Sequence, residues 1–300
     1  MTDSISVDQP IAEAVRLLMG QQLADLQAQE ERYRAGDRKE GVHRMRVAIR
    51  RMRALLRLFG ERFTGKTTKD LTTSLRSAAR VLGQLRDLDV LTGHLLSHQE
   101  ALPEADREAM DSLIRRKRKR RKRARRALDA YLNGKQYRKL IDQLTRFTTT
   151  PGRGVRSVAE PYTPQQVRHV LGSTLWGLYE HVWAFGPLVD DASTDTLHQL
   201  RIECKYLRYA LEFFTPVLEE ERVSHLTTQV IALQDHLGAL QDAMVASEML
   251  ATEPDNPGSD EYLATRRAEA ETQLATFPDK WATIDNPSFR SDLATLIANL

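Results

Sequence analysis

The chain has 300 residues and a mass of 34.2 kDa, with 41% hydrophobic, 28% charged and 6% aromatic residues, enough for one large core or two modest ones and too apolar for a disordered chain. One cysteine, Cys204, excludes a disulfide framework and a multi-cysteine zinc site; the N-terminus carries no basic region followed by an apolar core, and no apolar run reaches the ~18 residues that span a membrane. The expectation is therefore a cytoplasmic protein, neither exported nor membrane-embedded.

The net charge of +3 conceals an uneven distribution. Arg115 to Arg126, RRKRKRRKRARR, holds 11 of the 44 Lys and Arg residues and no acid, which leaves the other 288 residues at −8.

Helical periodicity dominates from end to end and alternating β-branched runs are nearly absent, so the predicted class is all-α. In chain order, helices are separated at Asp8-Gln9-Pro10, Asp37 to Gly41, Gly60 to Lys66, Pro103 and Asn133-Gly134. After a Pro-, Gly- and Thr-rich stretch, Thr148 to Pro164, further breaks fall at Gly186-Pro187, Pro216, Pro254 to Gly258 and Pro287, leaving about ten helices. The irregular stretch reads as a linker, 151–163, between a first bundle at 6–150 and a second at 164–300. Each half follows the same order of four long helices and a short closing one.

The two halves repeat in sequence. VHRMRVAIRRMRALLRLF (Val42 to Phe59) lies over LHQLRIECKYLRYALEFF (Leu197 to Phe214) at an offset of 155 residues, and LGQLRDLDVLTGHL (Leu82 to Leu95) lies over LGALQDAMVASEML (Leu237 to Leu250) at the same offset without a gap. One offset held across two helices and a loop indicates an internal duplication.

On a helical wheel His43, Arg46, Arg50, Arg53 and Arg57 fall within roughly 80°, beside an apolar stripe of Val42, Met45, Ile49, Met52, Leu56 and Phe59. His198, Arg201, Lys205 and Arg208 repeat the basic stripe, with Glu212 in place of the last arginine. Like charges at these spacings repel by ~0.2–0.5 kcal/mol per pair, so something anionic should compensate them. Arginine grips phosphate bidentately, and His43 to Arg57 spans ~21 Å, a length that suits a polymeric anion better than a small one. The plainer alternative is a solvated face whose arginines are oriented by acids on neighbouring helices, Asp87 and Asp242 being the obvious partners. Two copies in one chain favour a ligand surface shared between the bundles.

HxxRVxxRRxR at His43 to Arg53, its counterpart at Leu197 to Phe214, and the LGxLxD segments at Leu82 to Asp87 and Leu237 to Asp242 resemble the signature helices of the conserved histidine α-helical domain, or CHAD, family. The resemblance runs from about Ser6 to the C-terminus. It implies two pseudo-symmetric bundles whose basic faces line a central groove or cavity, and binding of inorganic polyphosphate; no cofactor is assigned, and storage, targeting to polyphosphate granules and scaffolding of another enzyme stay open as the cellular role. Position by position, the family's basic residues correspond to His43, Arg46, Arg50 and Arg53 and to His198, Arg201, Lys205 and Arg208. Arg44 and Arg51 extend the surface from another side of the wheel; Gln199 and Tyr206 replace them in the second half, which is therefore expected to contact fewer phosphates.

Arg76 and Arg80 on the next helix are further candidate contacts, as are Arg115, Arg118 and Lys122 of the basic run. Two readings of that run stay open: a solvated helix whose long stems cover apolar surface, or a second polyanion strip that tethers the protein to granules. Nucleic acid is the competing, weaker partner, since any phosphate polymer suits a basic groove, but the stripes lack the Asn, Gln and aromatic residues of base readers. His43 and His198 sit among arginines that repel a metal and lower their pKa. His94 and His98 are spaced for a metal but have no evident third ligand, so no metal site is assigned. No Walker loop, GxSxG, HExxH or ExExK is present, and no catalytic residue is assigned; the alternative is a metal- or phosphohistidine-dependent enzyme acting on a phosphate compound. Trp176, Trp183 and Tyr179 are expected in the second core. The oligomeric state is left open.

Overall fold

A computed structural model describes residues 4–104, 107–157, 160, 162–189, 192–250 and 257–300. Among them the apolar residues at i, i+3 and i+4 spacing fold into twelve α-helices. In the first half α1 (Ile11–Arg34) and α2 (Arg38–Phe59) form one hairpin, α3 (Gly65–Ala101) and α4 (Arg107–Leu132) a second, longer one, and α5 (Lys135–Thr149) closes against α1 and α3. The α1–α2 turn brings the helices so close that a Cβ at Gly41 would stand 2.9 Å from the Tyr33 Cβ, so only glycine fits there. The second half contains α6 (Val167–Trp183), α7 (Thr194–Phe214), α8 (Glu220–His236), α9 (Gly238–Leu250), α10 (Pro257–Ala275), the single turn α11 (Phe277–Trp281) and α12 (Pro287–Ala298).

The 155-residue offset holds at the level of elements. It superposes α1 on α6, α2 on α7, the 3-10 turn Gly60–Arg62 on Thr215–Val217, and α3 on α8 followed by α9. The count exceeds the expected ten partly because the counterpart of α3 is broken at Leu237. Both halves carry Leu-Gly at this point, Leu82-Gly83 and Leu237-Gly238, so the low helix propensity of glycine permits the break without imposing it. Across the break, His236 Nε2 donates to the Gln273 carbonyl at 2.7 Å and ties the end of α8 to α10.

Among the described residues the halves meet in three regions. The starts of α1 and α6 exchange backbone hydrogen bonds, Ile11 N–H to the Gln165 carbonyl at 2.7 Å and Val167 N–H to the Gln9 carbonyl at 3.0 Å, which satisfies donors that helix N-termini otherwise leave open. Near the ends of α2 and α7 the equivalent residues Phe59 and Phe214 meet edge to face at 5.6 Å. At the far end Leu91, Leu95, Met110, Leu113 and Ile114 of α3 and α4 pack with Ala246, Leu250 and Tyr262 of α9 and α10 in a second apolar cluster, separate from the main core.

The linker stretch is strapped to the first half. Thr64 N–H bonds the Gly154 carbonyl at 2.7 Å and Arg156 N–H bonds the Arg62 carbonyl at 2.9 Å. Gly154 has φ +70°, and a Cβ there would overlap Thr67, so both conformation and space require glycine.

Two expectations about packing are corrected. Tyr179 is buried, but Trp183 is 44% exposed, its Nε1 donating to Asp285 at 2.7 Å and its ring faced by Arg290 at 4.5 Å. The basic run of α4 is not a uniformly wet or ligand-facing helix. Lys117 is fully buried and donates from Nζ to the Met249 carbonyl at 2.7 Å, and Arg121 is ion-paired to the buried Asp89.

Candidate functional site

The apolar stripes of α2 and α7 place their neighbouring basic stripes face to face. Between them lies a cavity of about 750 Å³, with Arg46, Arg50, Arg53 and Arg57 on one wall and His198, Arg201 and Lys205 on the other. Arg76, Asp87 and His94 of α3 and Gln241 and Asp242 of α9 complete it. A second space of about 550 Å³ shares Arg46, Arg50, Val90, His94 and Asp242 with the first and extends it past His43 to Lys39 and Arg86. The sequence reading passed over Lys39 and Arg86. Arg86 was signalled by its place inside the repeated LGxLxD segment, where Gln241 is its counterpart.

Charge inside this space is unbalanced. Among the described residues its walls carry nine Lys and Arg but three carboxylates, those of Asp87, Asp89 and Asp242. Asp87 lies 3.2 Å from Arg46, and Asp89 is taken by Arg121 of α4. Asp242 makes no ion pair among the described residues; its counterpart cation, Arg201, donates from Nε to the Gln234 carbonyl at 3.4 Å. Burial raises the Asp87 pKa against the opposing pull of Arg46 and Arg86.

The cations register the imbalance. Burial first, and then repulsion from Arg50, Arg201, Arg53 and Arg208, together lower the pKa of Lys205 to about 8. Burial likewise lowers the pKa of Arg50, whose Nε is enclosed without a hydrogen-bond partner. A guanidinium so enclosed forgoes the hydration that would stabilise it, and an anion between the walls would restore it. His43 is pushed below its ordinary pKa, first by burial and then by Arg86, and so is neutral at pH 7. In the second half His198 Nδ1 is hydrogen-bonded to Gln241 Oε1, so a histidine facing a cation in one half faces an amide in the other.

Not every residue of the stripes reaches the cavity. Arg208 turns to Glu212 at 3.1 Å and lies over the Tyr209 ring at 5.0 Å. Arg44 pairs with Glu40 one turn away on the outer surface, and Arg80 is exposed outside the cavity walls. Arg51 bonds Glu212 and lies over Phe213 at 4.6 Å, while Arg57 faces the Tyr206 ring at 4.7 Å and Glu203 at 3.6 Å. The substitutions Tyr206 and Glu212, read from sequence as a weakened second stripe, thus complement Arg57 and Arg51 of the opposite half. Arg115, Arg118 and Lys122 lie exposed on α4.

Among the described residues no three His, Cys, Asp or Glu side chains are grouped to hold a metal ion, and His94 and His98 are divided: His94 lines the cavity while His98 packs edge-on to Tyr262 at 5.5 Å. Cys204 is buried and its thiol pKa is raised by burial. No described helix is long and apolar enough to cross a membrane.

The sequence profile of the CHAD domain matches residues 17–251. The uncharacterized proteins MT2285 and Rv2226 of Mycobacterium tuberculosis are each 26% identical over 272 residues, covering 89% of this chain and 51% of theirs. The chain therefore spans about half the length of these curated relatives. Among solved structures, the CHAD domain from the plant Ricinus communis matches with a TM-score of 0.71 at 22% identity, covering 99% of this chain and 96% of that one. PptA from Streptomyces chartreusis matches with a TM-score of 0.67 at 16% identity, covering 91% and 100% respectively. At these identities the two structural matches speak for the fold alone.

Proposed function

Because the chain belongs to the CHAD domain family, we propose that the cavity between α2 and α7 binds inorganic polyphosphate and holds it without turning it over. The observation that carries this reading is the half-buried, uncompensated charge: Lys205 sits in the field of Arg50 and Arg201, and Arg50 in that of Arg46, with too few carboxylates to neutralise them. A protein gains no stability from such an arrangement, whereas an anion that enters it collects several charge-assisted hydrogen bonds at once. Two facing rows of donors suit a linear chain of phosphates. His43 and His198 serve as hydrogen-bonding groups, and Asp87 orients Arg46.

The cavity tyrosines bear on the choice between phosphate polymers. Of the three, Tyr209 and Tyr262 are buried and Tyr206 has Arg57 at 4.7 Å and Lys205 at 5.4 Å from its ring, so the rings are occupied by protein groups rather than presented to stack a base. This favours polyphosphate over nucleic acid. In the cell the reading places the protein in the cytoplasm, at polyphosphate granules.

Competition between long-chain polyphosphate and single- or double-stranded nucleic acid at physiological salt tests it. Wild-type protein should prefer polyphosphate, and R46E/R50E/R201E/K205E, shown by circular dichroism to remain helical, should lose that preference. Equal binding of all polyanions, unchanged by the four reversals, would refute the cavity as the site.

A further inference from the structure

The basic run of α4 is only partly consumed by packing. Leu113, Lys117 and Leu128 face inward, and on the opposite side Arg115, Arg118, Lys119, Lys122 and Arg126 form an exposed stripe ~16 Å long. None of the five has an ion pair or hydrogen bond among the described residues. The flank of this helix borders the mouth of the cavity. Arg121 is paired with Asp89, itself a wall residue beside Lys39, His43 and Arg86. The Tyr33 phenol, hydrogen-bonded to Asp129 of α4, feels both Arg125 of α4 and Arg38, the residue before Lys39 in sequence, so α4 also passes close to the start of α2.

The whole chain is polarised in the same sense. Residues 1–157 carry 35 Lys and Arg against 19 Asp and Glu, and residues 158–300 carry 9 against 22. A polyanion leaving the cavity would be attracted along α4 and repelled by the second half, where Asp260, Glu261, Glu269 and Glu271 are exposed on α10.

Building on the polyphosphate reading, we infer that the binding site has two parts, an inner cavity filled by a short stretch of polymer and an outer track along α4 that holds the chain where it emerges past Lys39 and Arg86. The track gives the protein a preference for long polymers, because only a chain that outruns the cavity can reach it.

The test compares tripolyphosphate with long-chain polyphosphate on three proteins: wild type, R115Q/R118Q/K122Q/R126Q on the track, and R50Q/K205Q in the cavity. The track substitutions lie opposite the packed face and should leave the fold intact. They should weaken long-chain binding at least ~10-fold and flatten its salt dependence, while tripolyphosphate binding stays as in wild type. The cavity variant should lose both lengths. Unchanged long-chain affinity in the track variant, or equal losses at both lengths, would overturn the track while leaving the cavity reading in place. A wild-type protein that bound neither polymer would overturn the cavity reading and the track with it.

Discussion

Lys205→Met is expected to make the protein more stable and a poorer polyanion binder. Methionine retains much of the lysine stem and removes the charge. In the folded protein Lys205 titrates at about 8, below its ordinary 10.5, chiefly through burial and then through Arg50, Arg201, Arg53 and Arg208. At pH 7, below both values, the amine is charged folded or unfolded, and the whole shift counts against the folded state. As pH rises from 8 toward 10.5 the folded protein gives up its proton first and the penalty disappears. At 1.36 kcal/mol per pH unit the nominal cost is about 3 kcal/mol; water at the cavity wall screens part of it, so a gain of about 1–2 kcal/mol is expected. That corresponds to a rise of roughly 2–4 °C in Tm. Thermal and urea unfolding with and without long-chain polyphosphate would read both effects. Ligand should stabilise wild type more than the variant and so narrow or reverse the gap. A variant less stable than wild type without ligand, or one stabilised by polyphosphate just as much, would refute the reasoning.

The same proton links binding to alkalinity: polyphosphate affinity measured by calorimetry should fall by about tenfold as pH rises from 8 to 9.5 and Lys205 discharges, with proton uptake on binding, and Lys205→Met should flatten that slope. Phe59→Ala removes the edge-to-face contact with Phe214 and should cost about 3–5 kcal/mol in urea unfolding. Glu212→Arg takes the carboxylate from both Arg51 and Arg208 and should cost about 2–4 kcal/mol, with Arg51→Glu added to it restoring part of the loss. In wild type, log affinity for polyphosphate should decline linearly with log salt, and each of Arg46, Arg50 or Arg201 changed to Gln should reduce the slope by about one.

The helical class and the duplication were legible because both are periodic: an apolar stripe recurs within each helix, and a 155-residue offset recurs between helices. The same stripes identified which face of α2 and α7 would be basic, since a side chain's angular position on a helix follows from its number alone. Partners across the molecule were not legible. Nothing local distinguishes Arg53, which lines the cavity, from Arg208, which turns to Glu212 and Tyr209. Arg86 is not marked by the identities of the repeat, because its position is one of difference, arginine in one half and glutamine in the other. Lys117 reads as one more cation in a run of eleven, and only the packing of α9 against α4 supplies the Met249 carbonyl that holds it.

The contacts between α2 and α7 also constrain how this chain can change. Position for position, Arg51 of one half meets Glu212 of the other, and Arg57 meets Tyr206, the counterpart of Arg51. Two first halves set in the same arrangement would oppose arginine to arginine twice, and two second halves would set Glu212 against Tyr206 twice, leaving Glu212 only Arg208 of its own helix as a partner. Each half has become a key for the other and for nothing like itself. A half set against its own copy would lose both contacts, so the α2–α7 seam suits unlike partners better than like ones.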